Sequence, residues 1–402
     1  MSRLKLQGSR HGIPLAFFHG VYYHPYIRIL KEVLFLENLV ETARAMLPLF
    51  DIPFTDCEIT QHGNGHINDT FLLTPAEGKP VILQRVSPVA FHHPEYVMSN
   101  MLSVTRTLRT VIEQRGGDPD REALTVIPLK SGESFAVSKD GSAWRMTAFI
   151  DHTVSRDLPD SPEMFGESGH AFGRFQHDLS DFPADTLYET IPHFHDTPSR
   201  LNAFREAVEK DVCSRLSGCQ ELVDLYLARA GRAGLLTDAL ARGEIPLRVT
   251  HNDTKLNNVL LDAESFKALC VIDLDTVMPG LSAYDFGDAI RFGASTAVED
   301  ETDPEKIHFS FPMFSAFAQG YLAETGSLFT PAEVDSLAVG AWMMTYECGM
   351  RFLTDYLSGD VYFHVAHDRH NLDRAWNQML LLQDMERYQD EMLACVRTLA
   401  AQ

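Results

Sequence analysis

Two short stretches in the second half of the chain combine residue types that could transfer a phosphoryl group. The first follows an apolar run and reads HNDTKLNNVLLD from His251, with Asp253 five residues before Asn258. The second, CVIDLD, is an apolar run that ends in Asp273 and Asp275. A carboxylate can orient and deprotonate an attacking hydroxyl, and carboxylate and amide oxygens suit Mg²⁺. Phosphoryl transfer also requires a nucleotide site and an acceptor pocket, which the rest of the chain must supply.

Composition and charge restrict the classes to which the chain can belong. The 402 residues are 45% hydrophobic and 22% charged, as in a soluble globular protein with room for two domains. A formal charge of −22 argues against nucleic acid and anionic membranes as partners, because both require a basic footprint. ATP stays compatible, since Mg²⁺ and a few donors neutralise its phosphates locally. We expect a monomer or weak dimer.

Cysteine usage and hydropathy indicate a cytoplasmic protein. The six cysteines are scattered without a C-x-x-C pair, which fits free thiols better than disulfides or a zinc site. No run approaches about 18 uncharged apolar residues, so no transmembrane helix is predicted. Residues 1–32 are locally basic and lack the apolar core of a secretory signal. We expect an extension of uncertain order there, or a start codon placed too far upstream.

The remaining pattern predicts a sheet followed by helices. A helical period covers about 34–49, and a second helix is predicted at 94–114. Strand-like runs occur at 57–61, 69–73, 80–86, 125–129, 134–137 and 144–150. Further helices are predicted at about 162–179, 199–217, 220–241, 312–325, 331–357 and 372–399. We therefore predict an N-terminal lobe over 33–150 and a C-terminal lobe over 151–402.

The turn between the first two strands is glycine-containing and has two interpretations. It includes Gly63, Asn64, Gly65 and Asn68. It is either a simple hairpin or a loop whose backbone N–H groups cover ATP phosphates. Its position before a strand that carries Gln84 and Arg85 favours the second interpretation.

Two polar clusters of the helical part are candidates for contact with an acceptor. An aromatic-containing loop carries His195 and Asp196, and it is either a connector that caps the next helix or a contact for a sugar. Glu347, Arg351 and Asp355 recur every four residues and share one helix face. That face is either a salt-bridged solvent face or the wall of a cleft, and the surrounding aromatic residues favour the cleft.

The ordered motifs resemble those of the aminoglycoside phosphotransferase/choline kinase family, the small-molecule branch of the protein-kinase-like fold. Longer words, HNDTKLNNV, VIDLDTVMPG, YDFGD, RFLTDY and GDVYF, are similar to those of bacterial N-acetylhexosamine 1-kinases. The resemblance covers roughly residue 50 to the end. It implies an α+β, bilobal fold, with a small antiparallel β-sheet N-lobe and a larger, mainly helical C-lobe.

The resemblance implies a role for each residue of the two opening stretches. Asp253 would be the catalytic base on the acceptor hydroxyl, and His251 would brace the loop by hydrogen bonding. Asn258 and Asp273 would hold Mg²⁺, with Asp275 beside them as a second metal or water contact. The chemistry agrees, because carboxylate and carboxamide oxygens suit a hard cation.

The resemblance also implies an ATP site on the sheet, with one departure from the family pattern. The glycine-containing turn would cover the phosphates, and Phe149 and Ile150 lie where backbone groups would pair with adenine. The family expects Lys or Arg on the third strand, where this chain has Gln84 followed by Arg85. Because neighbouring strand residues face opposite sides, only one can serve unless the strand is bulged. The choice between them stays open.

For the acceptor, the resemblance implies a kinase that phosphorylates the anomeric hydroxyl of an N-acetylhexosamine. Such a neutral sugar calls for aromatic faces with acid, amide and Arg groups. Aminoglycosides, choline, homoserine and methylthioribose are alternative acceptors of the same fold. Asp285 also resembles the family acid that steadies the catalytic loop. The candidate acceptor contacts are His195, Asp196, Asp285, Arg291, Glu347, Arg351 and Asp355.

Two other classes of function compete with a kinase. A non-catalytic, kinase-like binding protein would be expected to lack one of Asp253, Asn258 and Asp273, and all three are present. A hydrolase built on Asp273 and Asp275 would explain these acids. It would not explain the glycine turn, the two-lobe pattern or the Asn five residues after Asp253.

Overall fold

The computed structural model describes residues 38–63 and 67–402. The predictions made for residues 1–32, Asn64 and Gly65 lie outside the described residues. Helix α1 is described over 38–46, within a unit that ends at Pro48. Residues Leu49–Gln402 form a second compact unit, which holds the sheet and all later helices. The domain limits at 32/33 and 150/151 stay predictions.

A small antiparallel sheet comes first in this second unit. Its strand order is β1-β2-β3-β6-β4, with β5 beside β6. Phe71, Leu83 and Met146 face one another in register and are fully buried on one face. The alternation of side chains therefore places the next register set, which includes Gln84 and Arg145, on the opposite face. The strands are β1 (Glu58–Gln61), β2 (Asp69–Thr74), β3 (Val81–Arg85), β4 (Val126–Ile127), β5 (Ala136–Val137) and β6 (Ala143–Ala148).

The helix predicted between the third and fourth strands is confirmed as α2 (Pro94–Gln114), and a single turn, α3 (Pro119–Glu122), follows it. Pro94 stands at the first helical position, where its missing N–H costs nothing. The buried side of α2 packs against Leu274 and Val277, which flank Asp275. Asn100 also donates a hydrogen bond of 2.9 Å to the carbonyl of Val277. Helix α2 thus supports the loop that carries the predicted cation ligands.

Helices dominate the rest of the unit, with short strand pairs between them. Strands β7 (Thr153–Val154), β9 (Val259–Asp262) and β10 (Ala268–Val271) form one small sheet, and β8 (Arg248–Thr250) pairs with β11 (Met278–Gly280). None of the described helices is long and apolar enough to cross a membrane. The helices are α4 (Pro162–Asp178), α5 (Thr197–Lys210), α6 (Gln220–Ala228), α7 (Leu235–Ala241), α8 (Ser282–Gly293), α9 (Phe311–Thr325), α10 (Pro331–Ser358), α11 (His370–Met385) and α12 (Gln389–Ala400).

Three of the predicted helix spans are wrong. The span 199–217 ends at Lys210, because Asp211 takes a left-handed conformation with φ 34°. The span 220–241 breaks at a 3-10 turn, Ala230–Arg232, and 372–399 breaks at another, Glu386–Tyr388. An ion pair links the two breaks: Arg229, just before the first, binds both carboxylate oxygens of Glu386, in the second, at 2.9 and 2.7 Å. Such long-range contacts override a continuous helical period.

Close backbone contact fixes α8, the helix that supports the loop starting at residue 251. A Cβ added at Gly287 would collide with the carbonyl oxygen of Gly340 on α10. A Cβ at Gly340 would in turn collide with the carbonyl oxygen of Ala283. Only glycine permits this approach. The apposed backbones hold Asp285 and Asp288 at a fixed distance from the loop that starts at residue 251.

Candidate active site

The loop between β8 and β9 is anchored by one buried carboxylate. Asp285 accepts hydrogen bonds from the backbone N–H of His251 at 2.9 Å and of Asn252 at 2.7 Å. Gln176 on α4 donates a third, also at 2.9 Å. Asn252 has φ 64°, which turns two consecutive N–H groups toward the same carboxylate. The loop conformation that presents Asp253 therefore depends on Asp285.

His251 ties the loop to the strand that leads into Asp273. Its Nε2 lies 2.8 Å from the carbonyl oxygen of Ile272, and the backbone N–H of Asp253 points to its Nδ1 at 3.3 Å. One ring nitrogen thus donates and the other accepts, which is the pattern of a neutral imidazole protonated at Nε2. Phe172 and Phe175 pack edge-on against the ring. His251 is therefore held rigidly and away from solvent.

Asp253 is held by a lysine and an amide of the same loop. Lys255 Nζ lies 2.9 Å from its Oδ1, and Asn258 Nδ2 donates to its Oδ2 at 3.0 Å and to its carbonyl oxygen at 2.8 Å. Burial opposes ionisation of Asp253, but the positive charge of Lys255 and these hydrogen bonds hold its pKa below the ordinary value. The carboxylate is therefore ionised at neutral pH, as a general base must be. Sequence reasoning missed Lys255, although its position two residues after Asp253 was visible.

Asp273 and Asn258 provide oxygen atoms beside this carboxylate. Asp273 has φ 60°, and the neighbouring backbone N–H of Ile272 donates to the carbonyl of Asn258 at 2.9 Å. Burial, together with the negative charges of Asp275 and Asp253, raises the pKa of Asp273 to about 7. Because the amide nitrogen of Asn258 is used on Asp253, its side-chain carbonyl oxygen is the atom available to a cation. A divalent cation here would relieve the crowding of negative charge.

The donor set fits Mg²⁺ better than a softer metal. Among the described residues, no group of three or more His, Cys, Asp and Glu is placed to hold a metal ion. One carboxylate and one amide suit a Mg²⁺ that completes its shell with nucleotide phosphates and water. Asp273 and Asn258 are the residues that would hold it.

The carboxylate of Asp275, by contrast, binds side chains that come from the sheet and from the turn after β1. Arg145 Nη1 pairs with its Oδ1, and Asn68 Nδ2 donates to its Oδ2 at 2.6 Å. Thr190 also donates to its backbone carbonyl at 2.9 Å. Both carboxylate oxygens thus have partners within the protein, and contact of Asp275 with a second metal or a water stays a prediction. Asn68, predicted to lie over the phosphates, instead connects the turn after β1 to Asp275.

Gln84 and Arg85 point to different partners. Gln84 Oε1 accepts hydrogen bonds from Nε and Nη2 of Arg145, at 3.0 and 2.9 Å. Arg85 Nε binds Asp69 on the neighbouring strand at 2.7 Å. Of the two, it is Gln84 that belongs to the network around Asp275. Sequence reasoning missed Arg145, and its signal was a lone charge in the otherwise apolar run WRMTAFI.

The predicted adenine region follows β6 directly. Phe149 donates its backbone N–H to the carbonyl of Pro80 at 3.3 Å, and its ring meets that of His62, which precedes Gly63, with centroids 5.9 Å apart. Gly63 has φ 74°, a conformation that favours glycine. The side chain of Ile150 is buried in the core beside α2, and its carbonyl accepts a hydrogen bond from Thr153. Only backbone groups of Ile150 are therefore positioned to meet a nucleotide.

On the other side of the loop, His195 and Glu347 form a buried pair. His195 Nδ1 lies 2.9 Å from Glu347 Oε1, and Thr197 donates to Glu347 Oε2 at 2.6 Å. Burial opposes ionisation of Glu347, but His195, Arg351 and Thr197 hold its pKa below the ordinary value. His195 Nε2 also lies 3.5 Å from the carbonyl of Asn252, next to Asp253 in the chain. The pair therefore borders the catalytic loop.

Arg351 lies among aromatic rings. Its guanidinium carbon is 5.4 Å from the ring centroid of Phe194, 5.7 Å from that of Tyr362 and 5.5 Å from that of Phe363. Cation–π contact of this kind orients the guanidinium group. Tyr362 is 64% exposed and was missed by sequence reasoning, although the word GDVYF contains it.

Three of the predicted acceptor contacts support the protein's own structure, and their contact with an acceptor stays a prediction. Asp285 is fully buried and its oxygens are used by the loop. Asp355 is buried and accepts from three backbone N–H groups, 361–363, and from Asn371. Asp196 caps α5 by accepting from the N–H of Ser199 at 3.0 Å. Capping was the alternative interpretation of that loop.

Arg291 borders an open cavity of about 220 Å³. It is buried and pairs with Asp288 at 3.0 Å and with Glu299 at 2.7 Å, while Asp288 accepts from the N–H of Thr254. The charge of Arg291 also acts on Lys255, so this wall lies close to the catalytic loop. Other lining residues are Asp157, Leu158, Phe292, Val298, Asn377 and Gln378.

Solved structures of several kinases and phosphotransferases share this fold. Choline kinase from Cryptosporidium parvum has a TM-score of 0.54 and 16% identity, covering 91% of this chain and 100% of its own. Spectinomycin phosphotransferase, solved with ADP and spectinomycin, has a TM-score of 0.53 and 14% identity, covering 88% and 98%. Amicoumacin kinase, solved with AMP-PNP and Ca²⁺, has a TM-score of 0.52 and 12% identity, covering 90% and 96%. The predicted α+β, bilobal, protein-kinase-like fold is confirmed.

Sequence comparison adds the family to the fold. Residues 58–322 match the sequence pattern of the phosphotransferase enzyme family. The matched part begins with the first strand of the sheet and includes the catalytic loop, Asp273, helix α8 and most of α9. It covers well over half of the chain, and the chain therefore belongs to the phosphotransferase enzyme family.

Proposed function

We propose that the chain is an ATP-dependent kinase of a small molecule, with Asp253 as the general base. The observation that carries the proposal is the arrangement of Lys255 and Asn258 around an ionised Asp253, next to Asp273. These two neighbours orient Asp253, which accepts the proton as the acceptor oxygen attacks the terminal phosphorus of ATP. The bond from that phosphorus to the bridging oxygen breaks, and ADP leaves. Lys255 stabilises the carboxylate before proton transfer. Bound Mg²⁺ supplies charge neutralisation for the phosphates.

Two observations support ATP and Mg²⁺: the ligands of solved structures with this fold, and the oxygen donors of this chain. Spectinomycin phosphotransferase was solved with ADP, and amicoumacin kinase with AMP-PNP and Ca²⁺. In this chain, Asp273 and the side-chain carbonyl of Asn258 are hard oxygen donors, and the region after β6 offers backbone groups for a base. We assign ATP and Mg²⁺ as the co-substrate and cation on these grounds.

For the acceptor, we propose the anomeric hydroxyl of an N-acetylhexosamine, with a sugar 1-phosphate as product. Two charged groups beside the loop are already paired within the protein, Glu347 with His195 and Arg291 with Asp288. A polycationic aminoglycoside would be favoured by unpaired carboxylates, whereas a neutral sugar is favoured by paired charges and aromatic faces. The rings around Arg351 supply such faces. The word similarity to N-acetylhexosamine 1-kinases points the same way.

The test is ATP consumption with Mg²⁺ across N-acetylglucosamine, N-acetylgalactosamine, glucose, choline, homoserine and kanamycin. We expect turnover on the N-acetylated sugars, and phosphorus NMR of the product should show an anomeric phosphate split by the sugar H1. The same panel with Asp253→Asn controls for a contaminating kinase. Turnover on an amine acceptor with none on any sugar would refute the acceptor assignment and leave the kinase assignment standing.

A further inference from the structure

A guanidinium group is buried between the sheet and the loop that follows Asp273. Arg145 on β6 is 1% exposed. Its Nη1 pairs with Oδ1 of Asp275, while its Nε and Nη2 both donate to Oε1 of Gln84 on β3. Three of its donor atoms therefore have acceptors, on the sheet and on the loop.

The strand register explains why Arg145 and Gln84 meet. They are direct partners across β3 and β6, so their side chains stand on the same face of the sheet. Gln84 occupies the third-strand position at which the family resemblance calls for a cation. Its amide oxygen accepts from Arg145, and its Nε2 donates to Thr70 at 3.0 Å. The positive charge on this face is thus carried by β6 instead of β3.

Both carboxylate oxygens of Asp275 accept hydrogen bonds from residues in the sheet or in the turn after β1. The second oxygen accepts from Asn68 Nδ2, and Asn68 Oδ1 in turn accepts from the backbone N–H of Ser87 at 2.9 Å. Asp275 itself is 2% exposed. Arg145 contacts Asp275 through one nitrogen, Nη1, and a hydrogen bond between two charged groups is stronger than a neutral one. Together with the bond from Asn68, it fixes the orientation of the carboxylate.

A buried ion pair is a poor device for stability alone. Taking both charges out of water costs about as much as their attraction returns, and apolar residues of similar volume often serve equally well. The Arg145–Asp275 pair nevertheless stands two residues from Asp273, where negative charge is already crowded. Its placement therefore calls for a role in the site.

We propose that Arg145 is a positioning residue of the nucleotide cleft. It holds Asp275 against the sheet, so that Asp273 and Asn258 remain the oxygen ligands presented to a Mg²⁺–nucleotide. The pair also joins the sheet to the cation-binding loop, so that nucleotide contacts on the sheet and cation contacts on the loop form one unit. The inference rests on the proposed function for the nucleotide and the cation, and it does not depend on the acceptor.

The test exchanges the two register partners. Arg145→Gln removes the charge, and the double variant Gln84→Arg/Arg145→Gln returns it to the same face from β3. Binding of AMP-PNP is measured by calorimetry on the full-length protein, with Mg²⁺ and again with EDTA. We expect Arg145→Gln to weaken Mg²⁺-dependent binding by about tenfold or more, and the exchange variant to recover to within about threefold of wild type. Binding in EDTA should change little in both variants, because Asp273 is then without its cation.

Arg229→Gln is the matched control, because it also breaks an ion pair between an arginine and a carboxylate, in this case Glu386, and that pair lies outside the cleft. It should lower the melting temperature without changing the Mg²⁺-dependent affinity. An Arg145→Gln protein with wild-type affinity in Mg²⁺, or an equal loss in Mg²⁺ and in EDTA, would overturn the proposal. If Arg145→Gln does not fold, the exchange variant decides: affinity within about threefold of wild type supports the proposal, and any larger loss overturns it.

Failure of the two proposals can be told apart. Wild-type protein that binds no AMP-PNP in Mg²⁺ would overturn both the kinase assignment and the role of Arg145. Wild-type protein that binds it but phosphorylates no sugar would overturn only the acceptor assignment.

Discussion

Replacing Asp285 by Asn should loosen the catalytic loop while leaving the shape of the core unchanged. The carboxylate is 0% exposed and accepts three hydrogen bonds, with Oδ2 serving His251 and Gln176 and Oδ1 serving Asn252. An amide has one acceptor oxygen. In its better orientation, that oxygen keeps the bonds to His251 and Gln176, and the amide nitrogen then faces the N–H of Asn252.

The cost follows from this geometry. One hydrogen bond to a charged group is lost, worth about 1.5–3 kcal/mol, and a buried backbone N–H is left facing a second donor. Part of the loss is offset, because burial raises the pKa of Asp285 and the neutral amide avoids that penalty. The net destabilisation should be about 2 kcal/mol. Since Asn252 precedes Asp253, the displaced loop should also lower kcat by about a hundredfold.

Urea unfolding at pH 7 measures the first effect and initial rates at saturating ATP measure the second. Asp335→Asn is the matched control, because it breaks an exposed pair with Arg397 and should cost less than about 1 kcal/mol. If Asp285→Asn is no less stable than this control and retains wild-type kcat, Asp285 does not anchor the loop, and the argument from its three hydrogen bonds fails.

Two further substitutions test the chemistry of the site. Asp253→Asn should lower kcat by about 10²–10⁴-fold while AMP-PNP affinity stays near wild type, and a wild-type kcat would remove the base assignment. For Asp273, the folded pKa of about 7 lies above the ordinary value of 3.8, so the stability of the cation-free protein should fall as pH rises from about 4 to 7. Asp273→Asn should remove that slope and gain at most about 4 kcal/mol at pH 8 without Mg²⁺, as urea unfolding across pH would show. Parallel curves for the two proteins would contradict the raised pKa.

The sequence alone determined the parts of the site that are local in the chain. Asp253, Asn258 and Asp273 were identified by spacing, because one loop and one short hairpin carry all three. The order of sheet and helices was equally readable, since alternating and helical periods report burial of single elements. Helix α2 was predicted with its bounds, as its Pro and Gly–Gly signals are local too.

Tertiary structure decided which side chains meet across elements. Arg145 reaches Asp275 only because β3 and β6 pair in one register and face the loop, and no pattern within β6 could show that. Asp285 and Asp355 looked like acids available to an acceptor, yet each is used by the N–H groups of a distant or following turn. The sequence does not show whether a polar side chain already has hydrogen-bond partners in the folded protein. Spacing therefore predicted the candidate residues for the chemistry, and packing decided which polar side chains already have partners within the protein.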